Sequence, residues 1–439
     1  MTEGRSEARS DAVMRRNGVE GAPIQAVQAQ FGLAHGWLRI GRLDLAARQF
    51  QKVIELDPDL EDPYVQLAEI QLAQHRTVDA IATCEAGLSR FPNQSKLHKL
   101  LVTALRESGG HAAVTDRYGL VRMDARRIDI APGTVLSALV VRNEAVRLPW
   151  FLQECRRIGV DRFLAVDNGS TDGTLELLQA QPDVHVWQTS MSFNAGNFGS
   201  AWFEVLLREH GVGHWVVMLD ADEVLCFPDY EQRSVRDLCE SLERAGKDAA
   251  SALLIDMYSD RPIAETKYRA GDDFLAHAPF FDRTAYHEAR PEDGPFANQT
   301  FYFGGLRKRV FGEAAEYLVT KTPLLRYQPD VVLSGGQHWT SHPAARIAHD
   351  ACAVLHFKYF ASFVDYAREE ARREEHSEGG RQYKAYDRRL ASDEALELYS
   401  SAESIRFEGS SQLVDLGFID LAGAATGAPA AGSTPVEDR

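Results

Sequence analysis

The sequence predicts an α/β protein in which a mostly parallel, Rossmann-like sheet follows an all-α domain. Two observations lead to this fold class. From residue 133 onward, short apolar runs alternate with amphipathic segments at the spacing of strand–helix–strand units, which is typical of parallel sheets. Before residue 127, a pattern of small and apolar residues recurs every 34 residues, which is typical of stacked helical pairs.

The length and composition of the chain exclude several classes of protein. The chain has 439 residues, so two or three domains are expected, and its net charge of −16 without any basic run excludes a nucleic-acid binder. No apolar segment is long enough for a transmembrane helix, and no secretory signal is expected. The five cysteines lack C-x-x-C spacing, which predicts a reduced cytoplasmic protein, either free or peripheral to a membrane. Residues 1–24 and 420–439 are expected to be disordered.

Residues 25–127 carry the repeated pattern. Corresponding positions 34 residues apart are Gly41 and His75, Ala46 and Ala80, and Pro58 and Pro92. In such a unit the small residue lets two helices approach closely, and the proline ends the second helix. The pattern resembles the tetratricopeptide repeat, with about three repeats of which the last is degenerate. This resemblance implies a surface for a protein partner or a second copy of the chain; a purely structural helical extension is the alternative.

Residues 133–418 are predicted to form the α/β domain. Its first strands are expected at 136–141, 162–166 and 184–188, and a fourth runs into Asp220. No G-x-G-x-x-G follows the first strand, so the fingerprint of a dinucleotide-binding domain is absent. Residues 363–398 are helical in pattern and highly charged, and they are expected to form a solvated surface segment.

Polar residues directly follow three of these strands, at Asn143–Glu144, Asp167–Thr174 and Asp220–Glu223. The carboxyl ends of parallel strands meet at one edge of an open sheet, where ligands bind. Asp220 and Asp222 are separated by one residue, so they project to the same side of an extended chain. Two converging carboxylates repel each other unless a cation lies between them, and hard divalent cations prefer such ligands. A solvated strand end with an acidic turn is the alternative.

Together these segments resemble the glycosyltransferase family 2-like group, which has the GT-A fold. The matching segments are Val140–Ala145, Asp167–Thr174, Trp215–Glu223 with its Asp-Ala-Asp-Glu motif, His356–Lys358 and Gln412–Gly417. The resemblance implies a transferase that uses a nucleotide-sugar donor and a divalent cation, Mn²⁺ or Mg²⁺. It also implies that Asn143, Glu144 and Asp167 contact the nucleoside. Asp220 and Asp222 would hold the ribose and the metal-bridged diphosphate.

Cations beside the leaving diphosphate can share the metal's task of neutralising its charge. The candidates are Arg307, Lys308, Arg309, Lys321 and Lys358, of which Arg307 and Lys358 are preferred. An exposed basic helix turn is the alternative for residues 307–309. GT-A enzymes often use a C-terminal histidine as a further metal ligand, and His356 is the candidate, with His338 as the second choice. A structural histidine is the alternative for both.

An inverting transfer needs a carboxylate that takes the proton of the acceptor hydroxyl. Asp256 and Asp293 are the candidates: Asp256 follows an apolar strand, and Glu292–Asp293 resembles the glutamate–aspartate base motif of GT-A enzymes. Asp260 and Asp282 lie in the same part of the chain. Glu223 is expected to support the metal site or to line the acceptor pocket.

The sequence therefore predicts a metal-dependent glycosyltransferase that moves a sugar from a nucleotide-sugar donor to an acceptor hydroxyl with inversion. A glycan, a lipid-linked group and a protein all remain open as the acceptor. A nucleotidyltransferase is one alternative, although that class favours a glycine-rich loop with Lys or Arg after the first strand, and residues 140–145 contain no glycine. A non-catalytic scaffold that bears repeats is the other alternative.

Overall fold

A computed structural model of the chain describes residues 24–284, 286–294, 296–312 and 317–420. The predictions of disorder concern residues 1–24 and 420–439, which lie outside the described residues except for the two residues at their inner ends. The chain divides into two compact units that meet in sequence between Gly110 and His111. No helix in the described ranges is both long and apolar enough to cross a membrane.

The first unit is built from consecutive helices that pack side by side. They are α1 (Ile24–Arg39), α2 (Leu43–Leu56), α3 (Asp62–Ala73), α4 (Thr77–Arg90) and the first part of α5 (Ser95–Tyr118). Each of α1 to α3 contacts the next helix, and Ala46, Phe50 and Leu67 lie in the core between them. Gly110, with a φ of +68°, interrupts α5.

The backbone of the first unit repeats as the sequence does. Gly41 and His75, which are 34 residues apart, both adopt left-handed conformations, with φ of +73° and +57°. Ala46 and Ala80 are both fully buried, as expected for positions where two helices approach closely. The conformation of His75 is one that favours glycine, so His75 keeps the geometry of the turn without the residue that suits it best.

The second unit contains a large sheet and several short elements. The strands of the large sheet are β1 (Val121–Arg122), β2 (Val135–Val141), β3 (Arg162–Asp167), β4 (Val184–Gln188), β5 (Trp215–Met218), β6 (Glu223–Cys226), β7 (Ala249–Asp256), β11 (Thr320–Arg326) and β12 (Ile347–His356). Two small sheets contain β8 (Phe280–Asp282), β9 (Tyr286–Ala289), β10 (Phe301–Gly304) and β13 (Ser404–Arg406). The helices are α6 (Leu148–Arg157), α7 (Thr174–Gln179), α8 (Ser200–His210), α9 (Val235–Arg244), α10 (Phe274–His277), α11 (Leu306–Phe311), α12 (Phe363–Arg373), α13 (Ser377–Ser392) and α14 (Ser410–Asp415).

The large sheet is mixed. Its order in the described residues is β1-β4-β3-β2-β5-β11-β7-β12-β6. The pairs β4–β3, β3–β2, β2–β5 and β7–β12 are parallel, and the other four neighbouring pairs are antiparallel. The prediction of a mostly parallel sheet therefore holds for one half only. β11 enters antiparallel between β5 and β7, and its direction depends on the long connection before it rather than on the strand itself.

The predicted boundary at residue 127 places residues 119–127 in the helical repeats, but these residues are not helical. Val121–Arg122 forms β1 and pairs with β4 at the edge of the large sheet. The Asp124 carboxylate accepts from the Val186 amide at 3.1 Å, and the Arg126 guanidinium donates to the Gln181 carbonyl at 2.5 Å. This segment therefore belongs to the α/β unit.

Candidate functional site

The site lies at one edge of the large sheet. Because β2, β5, β7 and β12 run in the same direction, their carboxyl ends meet there. The antiparallel strands β11 and β6 begin at this same edge, which brings Lys321 and Glu223 to it. The sheet thus gathers polar residues that are distant in sequence, as open α/β sheets do where they bind ligands.

Asp222 stands at the centre of this edge. Its Oδ2 lies 2.7 Å from Arg147 Nη1 and 3.6 Å from His356 Nε2. Burial alone would raise the pKa of Asp222, but the charges of His356 and Arg147 outweigh burial and lower it to about 2. Asp222 is therefore a carboxylate anion at neutral pH.

Arg147 links Asp222 to the end of β2. Its Nε lies 2.9 Å from Glu144 Oε2, so one guanidinium serves two carboxylates. Burial raises the pKa of Glu144 to about 8, although Arg147 acts in the opposite direction. Arg147 was not among the predicted site residues, and only its place three residues after Glu144 could have pointed to it.

Lys321 joins the other acidic residues of the motif. Its Nζ lies 2.9 Å from Asp220 Oδ2 and 2.8 Å from Glu223 Oε1. Burial raises the pKa of Glu223 to about 7, and Lys321 partly offsets this. The pKa of Lys321 itself is raised, because the two carboxylates outweigh the effect of burial. Lys321 is a fixed cation that holds Asp220 and Glu223 together.

Asp256 and His356, at the ends of β7 and β12, form a buried group with Arg307. Asp256 Oδ1 lies 2.7 Å from His356 Nδ1, and Arg307 donates to both Asp256 oxygens, at 2.7 and 2.9 Å. Burial opposes ionisation of Asp256, but Arg307 and His356 hold its pKa well below the usual range. Arg307 is itself buried, so it is not the exposed basic turn that was the alternative for residues 307–309.

The ends of β2 and β3 are tied together by hydrogen bonds. The Asn143 amide donates to Ser170 Oγ at 3.0 Å, and Asn143 Oδ1 accepts from the Thr171 amide at 2.9 Å. Asp167 is fully buried; its Oδ2 accepts from Gln188 Nε2 at 3.1 Å, whereas its Oδ1 has no hydrogen-bond partner in the described part of the chain. An unsatisfied buried carboxylate oxygen is costly, so this atom is a candidate acceptor for a ligand.

A cleft with two chambers opens at the sheet edge. The first chamber, about 190 Å³, is lined by residues that include Asn143, Glu144, Asp220, Asp222, His356 and Lys358. The second chamber, about 240 Å³, is lined by residues that include Asp220, Glu223, Arg307, Lys321, His338 and Lys358. Asp220, His356 and Lys358 are among the residues that line both chambers, so the chambers are neighbours at the sheet edge.

Most of the predicted site residues therefore meet. Asp167 and Asp256 are buried at the same strand ends without lining either chamber. Asp293 and Glu292 are exposed and line neither chamber, and Asp282 is buried in an ion pair with Arg309. His338 lines the second chamber and its Nδ1 lies 2.5 Å from the Thr320 carbonyl oxygen, so its place is compatible with the structural alternative.

The segment 363–398 is not the solvated surface segment that its charges predict. The apolar residues of α12 and α13 pack into a buried cluster, with Phe363, Ala367 and Tyr386 at its centre. Tyr366, Glu370 and Tyr383 of these helices, and His376 between them, also line the first chamber. Apolar residues at helical spacing were the available signal, but the many charges between them hid it.

No three His, Cys, Asp or Glu side chains in the described ranges form a complete metal site. Asp222 and His356 nevertheless provide two suitable donor atoms 3.6 Å apart. If the Asp256 carboxylate accepts from His356 Nδ1, the lone pair of Nε2 faces Asp222, which is how carboxylates commonly orient a metal-binding histidine. This pair fits a divalent cation whose remaining ligands come from substrate or water.

Comparison with known proteins gives a family match in the first unit. The tetratricopeptide repeat family model matches residues 38–105, and no curated protein matches the chain. Solved structures with some likeness include "MamA AMB-1", at 23% identity, a TM-score of 0.19, and coverage of 20% of this chain and 51% of that one. The first tetratricopeptide repeat of Spaghetti bound to an HSP90 peptide has 13% identity, a TM-score of 0.22 and coverage of 23% and 80%.

A further likeness is to an O-GlcNAc transferase mutant from Thermobaculum terrenum, at 18% identity, a TM-score of 0.16, and coverage of 43% of this chain and 45% of that one. The chain thus spans about half the length of MamA and less than half of the transferase. TM-scores this low do not establish a shared fold. The match to the tetratricopeptide repeat model, over residues 38–105, lies within the first unit.

Proposed function

We propose that the α/β unit is a glycosyltransferase of GT-A type that moves a sugar from a nucleotide-sugar donor to an acceptor hydroxyl with the help of a divalent cation. The observation that carries the proposal is the placement of Asp222 and His356, 3.6 Å apart in an open cleft, with Asp256 behind the histidine. A bound Mn²⁺ or Mg²⁺ would neutralise the charge that develops on the leaving diphosphate. The nitrogen donor of His356 favours Mn²⁺, because Mg²⁺ is bound mainly through oxygen.

Lys358 is the cation best placed for the diphosphate. Arg307 and Lys321 are already paired with carboxylates of the chain. Lys358 lines both chambers, donates to the Tyr383 hydroxyl at 3.3 Å, and has no carboxylate within ion-pair distance in the described ranges. Burial and the charge of Arg307 lower its pKa to about 8. A bound anion would be its missing counter-ion and would raise that pKa again.

The residues at the carboxyl ends of β2 and β3 suit the nucleoside. Asn143, Glu144 and Asn168 line the first chamber, and the buried Asp167, whose Oδ1 has no hydrogen-bond partner among the described residues, directly precedes Asn168. An N–H group of a base would satisfy this carboxylate oxygen. Asp167 would then act through a hydrogen bond to the base, as the resemblance of its motif implies.

The contacts of Asp256 favour a role other than that of a base. Both of its oxygens are engaged by Arg307 and His356, and its low pKa makes it a poor proton acceptor. Asp256 therefore orients His356. Asp293 is exposed and outside the chambers, so neither candidate carboxylate faces the place of reaction.

The first unit is proposed to dock a protein. Tetratricopeptide repeats commonly bind peptides or proteins on the surface that stacked helices create. The partner would be an acceptor, a carrier of the acceptor or a second copy of this chain.

The test is release of nucleoside diphosphate from a panel of UDP-, GDP- and dTDP-sugars, with Mn²⁺ or with EDTA. At least one donor should be hydrolysed slowly, and Asp222→Asn should abolish the reaction while the circular dichroism spectrum stays unchanged. Asp365→Asn, a change at an exposed aspartate of α12, serves as the control. Turnover in EDTA, or an active Asp222→Asn variant, would contradict the proposal. Release of pyrophosphate from nucleoside triphosphates would indicate a nucleotidyltransferase instead.

A further inference from the structure

We propose that His376, held by Glu370, is the general base that removes the proton from the acceptor hydroxyl. This inference rests on the proposed function and adds the group for which the sequence offered only Asp256 and Asp293. His376 lies in the segment between α12 and α13, which the charge pattern had assigned to the solvated surface.

His376 borders both chambers, and a quarter of its side chain, 26%, is exposed. The first chamber contains the metal-binding pair and the nucleoside side of the cleft, so the second chamber is the place left for an acceptor. Transfer must occur where the two substrates meet, and His376 is among the residues that border both chambers.

The ring of His376 is oriented on two sides. Its Nε2 lies 2.9 Å from Glu370 Oε2, and Glu370 is only 3% exposed and also pairs with Arg373. The rings of Tyr383 and Phe193 pack against it, with centroids 4.4 and 5.6 Å away. The Glu370 contact is an ion pair by distance rather than a hydrogen bond, so Glu370 stabilises the imidazolium by its charge, while the two aromatic rings set the plane of His376.

The other titratable groups that line both chambers are each paired, charged or protonated in a way that disfavours the role of base. They are Asp220, His356, Lys358 and Tyr383. Asp220 is paired with Lys321, His356 is engaged by Asp256 and faces Asp222, and Lys358 is a cation. Burial raises the pKa of the Tyr383 hydroxyl well above its ordinary value, so that group stays protonated. Among the described residues that border both chambers, His376 is left as the candidate base.

The step balances without any further reactant. The acceptor oxygen forms a bond to the anomeric carbon while its proton passes to His376 Nδ1. The bond between the anomeric carbon and the phosphate oxygen breaks, and its electron pair stays on the departing diphosphate. Glu370 carries no proton in this step and acts as a positioning residue. Water in place of the acceptor gives hydrolysis by the same route.

The test compares water with azide on the donor that the wild-type protein hydrolyses in Mn²⁺. His376→Ala should lower the rate of hydrolysis about 10²- to 10⁴-fold, the usual contribution of a general base. Azide carries no proton, so with azide the variant should form glycosyl azide at the wild-type rate. Affinity for Mn²⁺ and for the nucleoside diphosphate should not change. Glu370→Gln, which keeps the shape of the carboxylate, should lower hydrolysis by a smaller factor and leave the azide reaction intact.

His277 provides the matched control. It pairs with Asp272, also at 2.9 Å, but lines neither chamber, so His277→Ala should hydrolyse the donor as the wild type does. Hydrolysis by His376→Ala within threefold of wild type would overturn the assignment of the base and leave the proposed function standing. Loss of both reactions in a folded His376→Ala and His376→Asn would also overturn it, because the residue would then serve donor binding. A wild type that hydrolyses no donor would remove the proposed function itself.

Discussion

Asp256 and His356 are paired residues at the ends of two parallel strands, β7 and β12, and their side chains meet at 2.7 Å. Across β12 on its other side, His356 is paired with Glu223, the first residue of β6. The register of the sheet thus places Glu223, Asp256 and His356 in one row along the edge, although His356 is at least 100 positions away from each of the other two. A shift of one residue in β12 would turn His356 to the opposite face and remove it from the cleft.

The variant Asp256→Asn tests how Asp256 contributes to the stability of the fold and to Mn²⁺ binding. The amide cannot balance the charge of Arg307, so a buried cation is left unpaired, which typically costs about 3–5 kcal/mol of unfolding free energy. The weaker support of His356 should lower Mn²⁺ affinity about 10- to 100-fold. Urea unfolding measures the first effect, and Mn²⁺ titration with a nucleoside diphosphate present measures the second.

A double variant separates the two consequences. Replacing the unpaired cation as well, in Asp256→Asn with Arg307→Met, should restore most of the stability, since neither member of the former ion pair then carries a charge. It should leave Mn²⁺ binding weak, because His356 still lacks its carboxylate. If the double variant recovered Mn²⁺ affinity, the support of His356 by Asp256 would be disproved.

His338 should make the stability of the fold depend on pH. Burial, followed by the charge of Lys321, lowers the pKa of His338 from 6.5 to about 4. Between these values the unfolded chain binds the proton and the folded chain does not, so this contribution is present above pH 6.5 and is lost as the pH falls towards 4. The loss amounts to about 3 kcal/mol over the whole interval.

His338→Gln removes this titration and keeps a donor for the Thr320 carbonyl. The free energy of unfolding, measured in urea at pH 7.5 and at pH 5, should therefore fall less in the variant than in the wild type. Equal losses in the two proteins would show that His338 is protonated in the folded state.

Local features of this fold were predictable because they depend on neighbours in sequence. The strands expected at 136–141, 162–166 and 184–188 agree with β2, β3 and β4 to within one residue. Apolar runs bounded by turn residues are sufficient for that. The repeats were equally visible, because a fixed period of 34 residues needs no tertiary information.

The pairing of charges was not predictable, because it depends on which strands become neighbours. Lys321 looked like a free cation for a diphosphate, but β11 enters the sheet beside β5, and its ammonium pairs with Asp220 and Glu223. Arg307 is taken up by Asp256 for a similar reason. Only the three-dimensional neighbours distinguish these cations from Lys358.

Glu375 ties two loops together beside the cleft. Its Oε2 accepts from Ser192 Oγ at 2.6 Å and from the Asn194 amide at 3.1 Å, and Phe193 between them lines both chambers. Glu375→Ala should make the Asn194 amide exchange at least about tenfold faster, since a hydrogen bond to a charged group contributes about 1.5–3 kcal/mol. Hydrogen exchange with mass spectrometry on residues 189–199 measures this. Asp365→Ala on α12 should leave exchange unchanged, and an unaltered rate in Glu375→Ala would show that the loop is held by other contacts.

The pairing of β1 with β4 predicts how far the chain can be shortened from its N-terminal side without loss of stability. A chain that begins at residue 111 keeps Val121–Arg122 on the edge of the sheet, together with the bonds from Asp124 and Arg126. A chain that begins at residue 128 loses them, and two hydrogen bonds that involve charged groups correspond to about 3 kcal/mol or more. Thermal unfolding should therefore show a lower Tm for the shorter chain. Equal melting temperatures would mean that residues 119–127 only lie against the sheet, and the boundary predicted from the repeats would then be as good as the one the strand implies.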